Sequence, residues 1–225
     1  MTHTFTATNY DFLAFPTVKN WIGDQWVEGS GSEVFEVINP RYGKVMSTAR
    51  SSTAVDVQSA VDAAKVNLKE WQSRPIRERA LIMYNLRDIM HKNVEELTWL
   101  VSHENGKTYA ESKAEVLKGI ECVEFGCSLP NLAAGEQLDV SRGVNCKVTH
   151  ESLGIVAGIT PFNFPSMVPL WMLPQALVGG NAFILKPSEQ VPLSVVRLAE
   201  MLQEAGLPEG IFSFVNGGKE TVEAL

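Results

Sequence analysis

Apolar residues recur at different intervals along this chain, and each change of interval marks a different kind of element. Between residues 17 and 38 the apolar runs are short. Trp21-Ile22, a Gly23-Asp24 turn and Gln25-Trp26-Val27 read as paired strands, and Val34 to Ile38 reads as another before Asn39-Pro40. The interval then lengthens. Val57, Ala60, Val61, Ala64, Leu68 and Trp71 recur at three- and four-residue steps, the mark of a helix with one apolar face. Pro75 stands where the first turn of a helix tolerates proline, and Ala80, Leu81, Tyr84 and Ile89 carry a second helix onward. Asn93 followed by Glu96 predicts a capping box that opens a third helix, ending at Asn105-Gly106. A fourth is expected from about Thr108 to Leu132, although Gly119 and Gly126 are poor helix formers.

The character changes at Gly135. Residues 138–153 alternate Val144, Cys146 and Val148 with Asn145, Lys147 and Thr149, which predicts an exposed strand pair or arm. A β-α-β-α-β series follows. Its strands are Gly154–Thr160, Asn181–Leu185 and Ile211–Val215; its helices are Ser166–Val178 and Pro192–Ala205, the second ended by Gly206. Short apolar strands alternating with helices predict an α/β fold with a parallel sheet buried on both faces. Right-handed crossovers would bring the loops at 161–165 and 186–191 to the carboxyl ends of neighbouring strands, where such sheets bind ligands.

The series also raises a membrane question. From Ser152 to Leu185 no residue is charged, a stretch longer than the roughly 20 residues that span a bilayer. Pro161, Pro165, Pro169, Pro174, the Gly179-Gly180 pair and the polar Asn163, Gln175 and Asn181 cut it into pieces too short to cross. The start of the chain has no lysine or arginine before Lys19 and no apolar run of signal length, so no secretory or transit peptide is expected.

Composition narrows the classes of function. A net charge of −7, with no basic stripe, argues against nucleic acid and anionic membrane surfaces as partners. The cysteines at 122, 127 and 146 form no CxxC pair, and Cys122 and Cys127 would sit about 140° apart round a helix. His3, His91, His103 and His150 form no His-x-x-x-His pair. Structural thiols in a reducing, cytoplasmic compartment are therefore expected, with no metal site.

Two loops carry candidate chemistry. In Thr160-Pro161-Phe162-Asn163-Phe164-Pro165 a neutral carboxamide stands between prolines where a strand meets a helix. It is placed to donate into a cleft, and the helix beginning near Ser166 is expected to add unpaired N–H groups that favour an anion. A turn asparagine bonding its own backbone has the same spacing and is the commoner arrangement. In Lys186-Pro187-Ser188-Glu189-Gln190 a cation and a carboxylate stand three apart at a strand end, able to grip a sugar diol. A solvated salt bridge with Ser188 or Glu189 as helix cap would look the same. Asn216-Gly217-Gly218 is glycine-rich without GxGxxG order, as any strand-end turn can be.

These loops, together with Ile22-Gly23-x-x-Trp26-Val27 near the start, Glu104-Asn105-Gly106-Lys107, Gly180-Asn181 before the lysine loop and Gly206-Leu207-Pro208, resemble the aldehyde dehydrogenase superfamily over nearly the whole chain. Phe162, with Pro165 to Pro174, is similar to the methylmalonate-semialdehyde dehydrogenase branch, which makes acyl-CoA. The resemblance implies a Rossmann-like NAD-binding sheet, begun here at 154–225, preceded by strands and helices over 1–136 and an oligomerisation arm over 137–153. It implies that Asn163 supplies the oxyanion hole, that Lys186 and Glu189 hold the adenine ribose of NAD, and that Thr160 and Phe162 line the nicotinamide side. Gln190, placed with the cofactor-binding residues, stands where the branch has arginine, and Lys118-Gly119 where it has Arg-Gly. Lysine lacks the fork that suits a substrate carboxylate.

The family's catalytic cysteine and general-base glutamate are expected downstream of residue 225. On this reading the chain is the front part of an enzyme, inactive alone, that handles an aldehyde and possibly CoA as a homo-oligomer. The alternatives are a non-catalytic nucleotide-binding or subunit-interaction module, or a dehydrogenase that passes its acyl group to water.

Overall fold

The computed structural model describes residues 14–225. The N-terminal stretch read as lacking a targeting signal lies, up to residue 13, outside them, as does His3.

Strands β1 (Asn20–Ile22) and β2 (Gln25–Val27) form a hairpin, as do β3 (Val34–Asn39) and β4 (Lys44–Arg50). Four helices follow: α1 (Ala54–Ser73), α2 (Ile76–Lys92), α3 (Val94–Asn105) and α4 (Tyr109–Leu132). The arm is β5 (Glu136–Ser141) with β6 (Val144–Val148), an antiparallel pair whose residues are all exposed. The final series is β7 (Ile155–Ile159), α5 (Met167–Val178), β8 (Ala182–Lys186), α6 (Leu193–Glu204), β9 (Phe212–Phe214) and α7 (Lys219–Ala224).

The parallel core of the sheet is as expected: β7 pairs with β8, and β8 with β9. The sheet is nevertheless mixed, in the order β2-β1-β9-β8-β7, because β1 adds antiparallel to β9 through Trp21 and Phe214. The N-terminal hairpin thus covers an edge that would otherwise offer unpaired N–H and C=O groups.

Every residue of β8 is buried, and its side chains alternate between two cores. Phe183 and Leu185 join the large core built from α2 to α6, while Ile184 packs with Ile22, Val57, Ala60 and Val215 under α1. No described helix is long and apolar enough to cross a membrane.

Local rules fail at three places. The Asn93–Glu96 capping box does not form: Asn93 Nδ2 donates to the Ile89 carbonyl and Glu96 is taken by Arg197 at 2.8 Å. Boxes close instead at Thr53–Asp56 on α1 and Thr108–Glu111 on α4. On α2 the buried face is Ala80, Ile82, Met83, Leu86, Ile89 and Met90, leaving Leu81 and Tyr84 outside. Strand β4 had no sequence prediction, because Lys44 and Arg50 bound it and Ser47 and Thr48 interrupt its apolar positions.

Candidate active site at the strand ends

The loops expected to carry chemistry leave adjacent parallel strands at one rim. Ile159 is in register with Lys186, and the Thr160 N–H donates to the Lys186 carbonyl at 3.1 Å. Thr160 is buried; Phe162 and Asn163 are exposed. Among the described residues no hydrogen bond joins Asn163 to Lys186 or Glu189, so strand pairing alone brings them to a common rim.

The first loop is fastened to the helical layer through its backbone. Asn105 Nδ2 donates to the Phe162 carbonyl at 2.7 Å, and Lys107 Nζ donates to the Asn163 carbonyl at 2.5 Å. The Asn163 side-chain amide has no hydrogen-bond partner among the described residues, which removes the reading of a turn asparagine bonding its own backbone. Its donor is free for a ligand.

The expected contribution of the α5 N-terminus is overturned. The Ser166 and Met167 N–H groups donate to Glu115 Oε1 at 2.9 and 3.3 Å, and Val168 N–H to the Phe164 carbonyl. Glu115, on α4 and almost wholly buried, fills the place an anionic ligand would take. Its other oxygen, Oε2, pairs with Lys107 Nζ at 2.5 Å, and the same ammonium sits 3.9 Å from the centroid of the Phe164 ring. Of the donors expected to face an anion in this loop, the Asn163 amide is the one left unpartnered among the described residues.

The second loop is organised the same way. Lys186 Nζ and Glu189 Oε2 stand 3.3 Å apart, with the lysine side chain 6% exposed and the glutamate 32%. This is a half-buried pair, not a solvated one. Ser188 Oγ accepts from the Gln190 N–H at 3.3 Å, and Gln190 itself is exposed. Neither Ser188 nor Glu189 caps α6. That role belongs to Glu104, which accepts from the Leu193 and Ser194 N–H groups at 2.8 and 2.9 Å and from the Ser194 hydroxyl. Burial pushes the Glu104 carboxyl up to about 7, against the lowering effect of those hydrogen bonds.

Sequence reasoning missed the roles of Glu104, Lys107 and Glu115. Two of them left a signal. Glu104 follows Leu100, Val101, Ser102 and His103 on a buried stretch of α3, and Glu115 lies in register with Val116, Gly119, Ile120 and Val123 on the buried stripe of α4. A carboxylate on such a stripe needs a partner. Between Glu104 and Lys107 the chain must turn sharply, and Gly106 allows it with φ of 82° as the cap of α3. A Cβ there would also stand 2.5 Å from Pro40 Cγ.

The third strand-end loop is structural. Asn216 is buried and donates its N–H and its Nδ2 to Asn20 Oδ1, while its carbonyl accepts from the Ser52 N–H. A cavity of about 850 Å³ lies elsewhere, between the β1–β2 hairpin and α6, lined by Trp21, Trp26, Leu193 and Arg197. Its arginine is taken by Glu96 and Glu200, while Lys19, which also lines it, makes no ion pair among the described residues. Cys122 and Cys127 lie on α4, where burial pushes both thiols up, and Cys146 lies on the exposed arm; all three are free. Among the described residues no cluster of His, Cys, Asp and Glu could hold a metal ion.

Residues 26–225 match the sequence model of the aldehyde dehydrogenase family. Malonate-semialdehyde dehydrogenase 1 of Geobacillus kaustophilus is 47% identical over 209 residues, covering 92% of this chain and 43% of its own length. A structure from Sinorhizobium meliloti 1021, described as a methylmalonate-semialdehyde dehydrogenase complexed with NAD, superimposes with a TM-score of 0.90 at 36% identity. That match covers 95% of this chain and 44% of the other. A methylmalonate-semialdehyde dehydrogenase from Oceanimonas doudoroffii also gives 0.90, at 38% identity over 93% of this chain and 43% of its own. The chain thus spans less than half the length of these relatives.

Proposed function

Because the chain belongs to the aldehyde dehydrogenase family, we propose that it supplies the cofactor-holding and oxyanion-binding part of an NAD-dependent dehydrogenase acting on a semialdehyde. The observation that carries this reading is the pair of loops at one rim: an exposed, unpartnered amide at Asn163 beside a half-buried Lys186–Glu189 pair. The names of the relatives support the semialdehyde, and their acyl-CoA chemistry is carried over from the resemblance.

The residues present fit NAD. Lys186 can donate to, and Glu189 accept from, the adenine ribose hydroxyls, while the carboxylate opposes a 2′-phosphate. Thr160 and Phe162, at the mouth of the first loop, would flank the nicotinamide, with Gln190 at the outer edge of the ribose site. When bound, NAD accepts the hydride released from the substrate carbon.

The family nucleophile, a cysteine thiolate from the part of the relatives beyond this match, forms a bond to the aldehyde carbon as the carbonyl π pair moves onto oxygen. Asn163 Nδ2 donates to that oxyanion, a charge present only after attack, so the contact lowers the barrier more than it tightens ground-state binding. After hydride leaves, the thioester passes its acyl group to CoA or water. The exposed arm, with Leu138, Val140, Val144 and Val148 at its surface, supports assembly into a homo-oligomer, and the free thiols support a cytoplasmic location.

The test is Asn163→Ala in a chain completed with the C-terminal part of the Geobacillus relative. We expect kcat to fall on the order of 10²–10³-fold with little change in NAD affinity. A defect confined to NAD binding would remove Asn163 from the oxyanion site.

A further inference from the structure

The amide of Asn163 makes no bond of its own within the described protein, so whatever aims it must act through the backbone. Two side chains of the helical layer do touch that backbone. Asn105 holds the Phe162 carbonyl and Lys107 holds the next one, that of Asn163. Lys107 is itself immobilised: its ammonium meets Glu115 Oε2, the Asn163 carbonyl and the face of Phe164 at once. Glu115, in turn, is anchored to the first turn of α5 by Ser166 and Met167. The loop is gripped at residues 162, 163, 164 and 166 by three side chains.

We propose that Lys107 is a positioning residue for Asn163, its Glu115-bound ammonium holding the Asn163 carbonyl so that the side-chain amide stays aimed at the developing oxyanion. The proposal rests on the oxyanion reading of Asn163 given above. Charge alone does not explain the arrangement. The Glu115 carboxylate 2.5 Å away neutralises the ammonium, leaving little net field at the substrate. What remains is geometry, and a misplacement of about 1 Å in a catalytic group can cost about 100-fold in rate.

A double-mutant cycle in the completed enzyme decides it. Lys107→Met should lower kcat roughly tenfold and leave the KM for NAD within about twofold, since the Lys186–Glu189 loop is untouched. In the Asn163→Ala background the same change should cost less than about twofold, because there is no amide left to aim. A full tenfold loss in that background would show that Lys107 acts elsewhere and overturn the proposal. Asn163→Ala without a kcat effect would sink the oxyanion reading and this proposal with it. A large Asn163→Ala effect beside a silent Lys107→Met would sink this proposal only. If Lys107→Met does not fold, Lys107→Gln takes its place in the cycle: its shorter, uncharged side chain keeps a polar group beside Glu115 but removes the ammonium that holds the Asn163 carbonyl, and the same outcomes decide.

Discussion

Ser194 donates its backbone N–H, at 2.9 Å, to the carboxylate of Glu104, a residue ninety positions earlier in the chain. Ser166 does the same toward Glu115 across 51 positions. A helix normally finds partners for its first N–H groups close by, from a serine, threonine or aspartate just ahead of it. Here α5 and α6 have no side-chain cap of their own. Each is capped by a buried glutamate from the helical layer, so the two helices that follow the candidate site loops are locked to α3 and α4. Helix capping and domain packing have become one interaction.

The Glu104 cap makes stability depend on pH. Its carboxyl stands at about 7 in the folded chain, against an ordinary value of 4.5, because burial disfavours the charged form. Between those values the folded chain retains a proton that the unfolded chain has released. The contribution of this residue to stability therefore falls as pH rises through that window and is smallest above it. Glu104→Gln should flatten this slope, so that melting temperatures of variant and parent diverge between about pH 5 and pH 8; parallel curves would exclude the shifted carboxyl. Glu104→Ala strands the Leu193 and Ser194 donors and should cost about 1–3 kcal/mol in urea unfolding.

How legible all this is in the sequence depends on the range of the interaction. The β7-α5-β8-α6-β9 series is readable because each element declares itself locally: uncharged strands, prolines and glycines between them. The pairing of Trp21 with Phe214 is not, since nothing near either residue indicates the other. The failed Asn93–Glu96 box shows the same limit from the other side. The local pattern is correct, but Arg197, a hundred and one residues on, offers Glu96 a charged partner and outcompetes it. At the candidate site, Asn163, Lys186 and Glu189 stand out because they are polar residues at strand ends. Lys107 does not, because its meaning lies in a carbonyl some fifty residues away, and Glu115 shows only as a carboxylate on a buried stripe, with nothing near it to name the helix end it caps.

Glycine in α4 shows which of two opposed effects wins. Gly119 and Gly126 weaken a helix by about 1 kcal/mol each, yet both lie buried where α4 meets α5. A Cβ at 126 would stand 2.6 Å from the Cβ of Pro174, an atom fixed by its ring and helix; at 119 it would stand 2.9 Å from the tip of Leu170. Gly126→Ala should therefore lower stability by about 1–3 kcal/mol through overpacking, more than the helical gain returns. Gly119→Ala, facing a side chain that can turn, should come closer to neutral. Urea midpoints that rank the two variants in the opposite order would mean that α5 yields more easily than Leu170 does.

On the function proposed above, cofactor choice turns on Glu189. Its carboxylate lies 3.3 Å from a lysine that is 6% exposed, so the ammonium already has its counter-charge and a ribose hydroxyl can bind between donor and acceptor without adding charge. A 2′-phosphate brought to the same place would meet the carboxylate of a residue only one-third exposed, where water screens the repulsion incompletely. Glu189→Gln keeps the size and one acceptor while removing that charge, and it frees Lys186 to pair with the phosphate. Both changes act in the same direction. In the completed enzyme the ratio of NADP to NAD dissociation constants should fall roughly tenfold, which corresponds to about 1.4 kcal/mol. Most of the change should come from tighter NADP, with NAD affinity reduced by less than about threefold, under half of that free energy. Titration calorimetry with each cofactor separates the two contributions. A ratio that does not move would mean that the Lys186–Glu189 pair serves only to hold its own loop, and that the ribose is gripped elsewhere.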